Sequence, residues 1–176
     1  ENTFEECSNL TSVDMPSVTN IGMWAFKNCE SLTSVNMPSV TDISSYAFSG
    51  CSSLSSVVMP SVTRIGDNAF GGCPIRKLYL PTTLTSIGNS CFTATREITL
   101  AATTPASLGT DVFWKYAVIR VPESAVNDYR NAAGWSNYKD QILSMSDKTD
   151  YDVPVTAQEK ESGLLNICLL YTSPSP

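Results

Sequence analysis

The chain has 176 residues, a formal charge of −6, no His, and 42% apolar against 16% charged residues, the make-up of about one folded, soluble domain. It contains no apolar run long enough to cross a bilayer, and neither a polybasic segment nor an overall basic balance to hold a nucleic-acid backbone. Without His, Ser-His-Asp and Cys-His catalysis and His-containing zinc sites are excluded.

The first residues, ENTFEECSNL, already read as the second half of a unit that returns later. The chain is therefore expected to be an internal or truncated piece, and the lack of a signal sequence says nothing about secretion. Phe4, Phe26, Phe48, Phe70 and Phe92 recur every 22 residues, and Cys7, Cys29, Cys51 and Cys73 keep the same step. A period of roughly 20 to 50 residues marks a solenoid. In the first three units, Leu10, Val13, Met15, Val18 and Ile21 are matched by Leu32, Val35, Met37, Val40 and Ile43, then by Leu54, Val57, Met59, Val62 and Ile65. Short stretches such as Ser34-Val35-Asn36-Met37 alternate with period two and stop at Pro, which predicts strands with one face buried. A lone unit of this size cannot bury enough apolar surface to offset its ordering, so stacked neighbours must supply the rest.

Unit four is one residue shorter between Cys73 and Ile75 and one longer between Pro81 and Ile87, which keeps Phe70 to Phe92 at 22. A one-residue slip would turn every strand side chain over, so the register of the whole coil matters more than local spacing. Unit five is degraded, with REITL at residues 96–100 as its strand and Val112-Phe113 in place of Ala-Phe. A last strand is expected over residues 117–122. Periodicity then turns helical, with Ser124 as N-cap and Gly134 as stop. Tyr129, Trp135, Tyr138 and Ile142 supply the apolar side of a cover for the end coil. Residues 3–122 are thus read as repeats, 123–143 as a C-terminal cap, and 144–176 as a disordered or non-native tail, of which 162–176 is set aside from fold reasoning.

Four Cys share one column, Cys91 replaces Ala before a Phe, and Cys168 lies in the tail. In-register residues of adjacent coils lie about 4.8 Å apart with parallel side chains, whereas a disulfide needs Cβ atoms about 3.8 Å apart and facing. Free buried thiols are expected, and no metal, because a Cys₄ site gathers around a point and not along a line. Asp147, Asp150 and Asp152 lack the Gly and distal Glu of a calcium loop and read as a solvated acidic linker. The Thr19, Thr41, Thr63 column is too short for an ice-binding array.

The pattern AFxxCxxLxxVxMPxVTxIGxxAF, carried by Ala25-Phe26, Cys29, Leu32, Val35, Met37-Pro38, Val40-Thr41, Ile43 and Ala47-Phe48, resembles the BspA-like leucine-rich repeat of Treponema-type surface proteins. The ending VPESAVNDYRNAAGWSNYKDQI, residues 121–142, is similar to a C-terminal cap of that family in gut and oral bacteria. The resemblance spans residues 3–143 and implies a right-handed solenoid with a parallel sheet on one face, an extracellular or surface-attached location, and adhesion to host proteins or other cells. It implies no catalytic residues, no metal and no cofactor.

Alternation along the strands sets two outward columns, Ser12, Ser34, Ser56, Lys77, Glu97 and Asp14, Asn36, Val58, Tyr79, Thr99, with Val118 and Arg120 on the last strand. Early coils present small polar groups, and later ones an aromatic and charges, the types favoured at interfaces. The candidate contact surface is therefore Val58, Lys77, Tyr79, Glu97 and Arg120; the bland alternative is a solvated sheet face. The expected function is a monomeric, non-catalytic binding module for a protein or glycan on a host or neighbouring cell, with no nucleic-acid partner and no membrane insertion. The alternative is a structural spacer that binds nothing specific.

Overall fold

A computed structural model describes residues 3–147, and all of its regular elements lie in one compact unit that ends at Ser146. The chain winds in coils, each contributing one strand to each of two faces. On the first face lie β1 (Ser12–Asp14), β3 (Ser34–Asn36), β5 (Ser56–Val58), β7 (Lys77–Leu80), β9 (Glu97–Leu100), β11 (Val118–Val121) and β12 (Ile142–Ser144). On the second lie the two-residue strands β2 (Asn20–Ile21), β4 (Asp42–Ile43), β6 (Arg64–Ile65), β8 (Ser86–Ile87) and β10 (Ser107–Leu108). All pairings are parallel, and the apolar columns lie in register: Val13, Val35 and Val57 on the first face, and Ile21, Ile43, Ile65, Ile87 and Leu108 on the second.

The chain is therefore a β-solenoid, but with parallel strands on two faces where one was expected. Two-residue strands are too short to show an alternation, which is why the second face leaves no period-two signal of its own. Coils approach closely there: a Cβ on Gly66 or Gly88 would stand 2.5 Å from the backbone nitrogen of Ser45 or Asp67 in the preceding coil.

Where the chain turns between the faces, the Phe rings stack. Successive centroids from Phe4 to Phe92 lie 5.1–5.3 Å apart, and Phe113 follows at 6.3 Å. Beside them, each Cys thiol donates to the carbonyl of the Phe one coil back: Cys29 to Phe4, Cys51 to Phe26 and Cys73 to Phe48, all at 3.1 Å. Among the described residues all five thiols are free, as expected, and buried except for half-buried Cys7. The Cys column is thus a donor column as well as an apolar one.

Hydroxyls do the same elsewhere. Thr41, Thr63, Thr85 and Ser107 donate to the carbonyl at the equivalent position one coil earlier. The column continues beyond Thr63 as Thr85 and then Ser107, contrary to the sequence reading, and these hydroxyls are committed to the backbone.

Three expectations need correction. First, the one-residue deletion in unit four interrupts the first face: among the described residues β1-β3-β5 and β7-β9-β11-β12 form separate sheets, with no pairing between β5 and β7. The second face and the Phe stack continue across this boundary, so the compensating insertion restores two sides of the coil and not the third. Second, the first coil is only partly covered, with Phe4 at 45% and Val18 at 37% exposure and Leu10 and Val13 half-buried. Third, Ser124 is no N-cap. A 3-10 turn, Glu123–Ala125, leads into α1 (Val126–Asn131) with no side-chain capping bond, and the helix ends before Gly134, whose φ of +79° makes the turn into a second 3-10 segment, Trp135–Tyr138.

The end of the solenoid is a coil in disguise. Trp135 stands 22 residues after Phe113 and takes the next place in the aromatic stack, 5.6 Å away. Tyr138 takes the Cys position, its hydroxyl accepting from the Phe113 backbone N–H at 3.3 Å. β12 pairs with β11 (Ile119↔Ile142, Arg120↔Leu143), so the last strand is β12 and not β11. Tyr129, Trp135, Tyr138 and Ile142 are all buried, and the Trp135 indole donates to the Ala106 carbonyl at 2.7 Å.

Candidate functional site

The five sequence-predicted residues divide between the two sheets of the first face. Val58 sits half-buried on β5, while Lys77 and Tyr79 on β7, Glu97 on β9 and Arg120 on β11 share the other sheet. Register places Lys77 beside Glu97, and Tyr79, Thr99 and Arg120 in one row. Glu97 is the link: its carboxylate meets Lys77 Nζ at 3.3 Å and Arg120 Nε at 3.6 Å.

Arg120 is only 8% exposed and not the outward contact residue expected. A buried guanidinium needs a carboxylate, and Glu97 supplies it while remaining 31% exposed. Lys77, with 70% of its side chain exposed, is the accessible cation of the trio. Tyr79 is half-buried beside them.

A second cluster borders this face and escapes the column reading. After Phe113 the repeat template Phe-x-x-Cys gives way to Trp114, Lys115 and Tyr116, with Tyr116 65% exposed. Trp114 and Tyr116 meet edge to face at 5.2 Å, the Arg96 guanidinium lies 5.6 Å over the Trp114 ring, and Lys115 Nζ lies 4.8 Å over Tyr116. Arg96 immediately precedes Glu97 and neighbours Arg76, whose carbonyl accepts from the backbone N–H of both Arg96 and Glu97. The signal that could have found the cluster is Trp114-Lys115 in the two variable positions of the template and Tyr116 in place of its Cys.

The remaining chemistry is structural. Burial, with a lesser contribution from Cys51, pushes the Cys29 thiol up to about 11, and burial pushes Cys91 up to about 12. Neither is a ready nucleophile, since the thiolate is the reactive form. Among the described residues no three His, Cys, Asp or Glu side chains gather to hold a metal ion, and no helix is long and apolar enough to cross a membrane. Asp150, Asp152, Cys168 and the tail expectation beyond residue 147 lie outside the described residues.

Stacked parallel coils around apolar Leu, Val, Met and Ile columns define a leucine-rich-repeat solenoid, a class of binding or structural modules. Six copies of the BspA type leucine rich repeat region match residues 1–99, and the chain belongs to that family. No curated protein matches the chain at a significant level.

Among solved structures, a leucine-rich repeat protein from Bacteroides ovatus is 18% identical, with a TM-score of 0.46, covering 68% of this chain and 57% of its own. A leucine rich cell surface protein from Faecalibacterium prausnitzii is 23% identical, with a TM-score of 0.49, covering 78% of this chain and 32% of its own. The chain thus spans about a third to three fifths of the length of these two proteins.

Proposed function

We propose that the chain is the adhesive part of a cell-surface protein, binding a protein or glycan on another cell or matrix through the β7-β9-β11 face, without catalysis. The observation that carries this reading is the change of character along that face. β1 and β3 present Ser12, Asp14, Ser34 and Asn36, whereas β7 and β9 present Lys77, Tyr79 and Glu97 around an ion-paired Arg120. Aromatic and charged groups on a rigid sheet are what a recognition surface requires, because little conformational entropy is lost when it is covered. Family membership and the surface description of the F. prausnitzii protein support an extracellular location.

The test is binding of the purified chain to host cells and immobilised matrix, compared with Lys77→Gln/Tyr79→Ala. Arg120 is left intact because its loss would strand Glu97 and confound binding with folding. Loss of binding with an unchanged melting midpoint is the expected result. Undiminished binding by the variant would remove Lys77 and Tyr79 from the contact surface, and no binding by the wild type favours a spacer solenoid.

A further inference from the structure

The structure assigns a ligand chemistry to the Trp114–Tyr116 turn: we propose that it and the adjoining strand ends form a docking site for an anionic, sulfated polysaccharide. This rests on the adhesive reading above and names the partner. The chain is acidic overall, at −6, yet the exposed Arg76, Lys77, Arg96 and Lys115, four of its 11 Lys and Arg residues, gather at the starts of β7 and β9 and in this turn, beside the buried Arg120. Glu97 is the carboxylate that ion-pairs among them. The balance of that corner is therefore opposite in sign to the molecule, and charge complementarity selects an anion.

The cations are held in advance of any ligand. Arg96 and Lys115 rest over the Trp114 and Tyr116 rings, and the Gln141 side-chain amide donates to the Lys115 carbonyl at 2.6 Å, fixing the turn. Long basic side chains normally lose much rotamer freedom on binding, and the aromatic supports remove part of that loss beforehand.

Spacing favours a polysaccharide over an acidic peptide. Arg76 and Arg96 immediately precede the neighbouring strands β7 and β9, about 4.8 Å apart, whereas same-face side chains of an extended peptide repeat at about 6.7 Å. A sulfated pyranose advances its chain by nearly the inter-strand step and presents an apolar C–H face to exposed Tyr116.

The experiment titrates the intact chain with a sulfated heparin-type octasaccharide at low and high salt, alongside polyglutamate, a single-stranded DNA oligonucleotide and an unsulfated octasaccharide. Expected is saturable binding of the sulfated sugar that weakens with salt and exceeds that of the other three. Arg96→Gln/Lys115→Gln should weaken it about tenfold or more, with an unchanged melting midpoint. As a readout independent of any variant, bound octasaccharide should protect Lys115 of the wild type from acylation while Lys27 and Lys139 still react.

Absent binding at low salt, equal binding of polyglutamate or DNA, or an unprotected Lys115 would each overturn the proposal. If the sugar fails while cell or matrix binding persists and depends on Lys77 and Tyr79, this inference alone falls. If cell and matrix binding are also absent, the adhesive reading falls with it.

Discussion

Thr95 is the sharpest test of how the coils are held together. It stands 22 residues after Cys73, at the position where the earlier units place Cys, and its side chain is 1% exposed. Cys29, Cys51 and Cys73 each donate to a Phe carbonyl one coil back, but the Thr95 hydroxyl has no hydrogen-bond partner. A buried polar group without a partner costs about 1–3 kcal/mol. Thr95→Val keeps the shape and removes the hydroxyl, so it should stabilise the chain by about 1 kcal/mol, allowing for imperfect repacking.

For a chain of this size, that corresponds to about 2–4 °C in melting midpoint. Thr95→Cys, which restores the thiol opposite the Phe70 carbonyl, should gain a similar amount. The matched control is Cys51→Val, which deletes a donor whose acceptor stays buried and should cost about 0.5–1.5 kcal/mol. Urea unfolding followed by far-UV circular dichroism reads all three, provided the slope is unchanged. If Thr95→Val is neutral or destabilising while Cys51→Val is destabilising, the account of the column as a donor ladder is wrong at its fifth place.

Two further outcomes follow from the packing. Trp135→Ala removes a fully buried ring from between Phe113 and Tyr129 and strands the Ala106 carbonyl. It should cost about 3–5 kcal/mol, and light scattering should show the exposed end coil associating; a monomeric variant of unchanged stability would remove Trp135 from the cap. Alkaline pH should destabilise the chain, because burial raises Cys29 from 9.0 to about 11 and Cys91 to about 12. The unfolded chain loses these protons first, so stability present below pH 9 declines through pH 11–12, by up to about 1.4 kcal/mol per pH unit for each thiol. Cys91→Ala, which restores the residue found at Ala25, Ala47 and Ala69, should flatten that decline in urea midpoints; an unchanged slope would exonerate Cys91.

Much of the fold is legible in the sequence because core columns repeat the same residue types at a fixed step. Val35, Met37, Val40 and Ile43 recur, and all are buried. Legibility fails where the step survives but the residue changes: Trp135 replaces Phe, Tyr138 and Thr95 replace Cys, and Thr85 continues a column that seemed finished. It also fails where consequences are three-dimensional. The deletion after Cys73 is plain in the sequence, but only the three-dimensional structure puts the break between β5 and β7 and leaves Val58 on the far side of it. Arg120 occupies an outward position by alternation, yet the strand and cap beside it and the carboxylate above it bury the side chain. The Arg96-Trp114 and Lys115-Tyr116 pairs join residues from different coils or an irregular turn, which no column alignment brings together.

The missing pairing between β5 and β7 also has a mechanical side. Tension along the solenoid axis passes between most adjacent coils through three hydrogen-bonded edges. At this boundary the first-face edge is missing, and the load passes through the β6–β8 pair, the bond from the Thr83 hydroxyl to the Val62 carbonyl, and the turn where Phe48 and Gly50 donate to the Ala69 and Gly71 carbonyls, with the Cys73 thiol alongside. Under load the first face can open there like a hinge while the opposite edges hold. Lys77 and Tyr79 lie on the hinge's rim, so pulling would change their distance from Val58 before any coil unwinds.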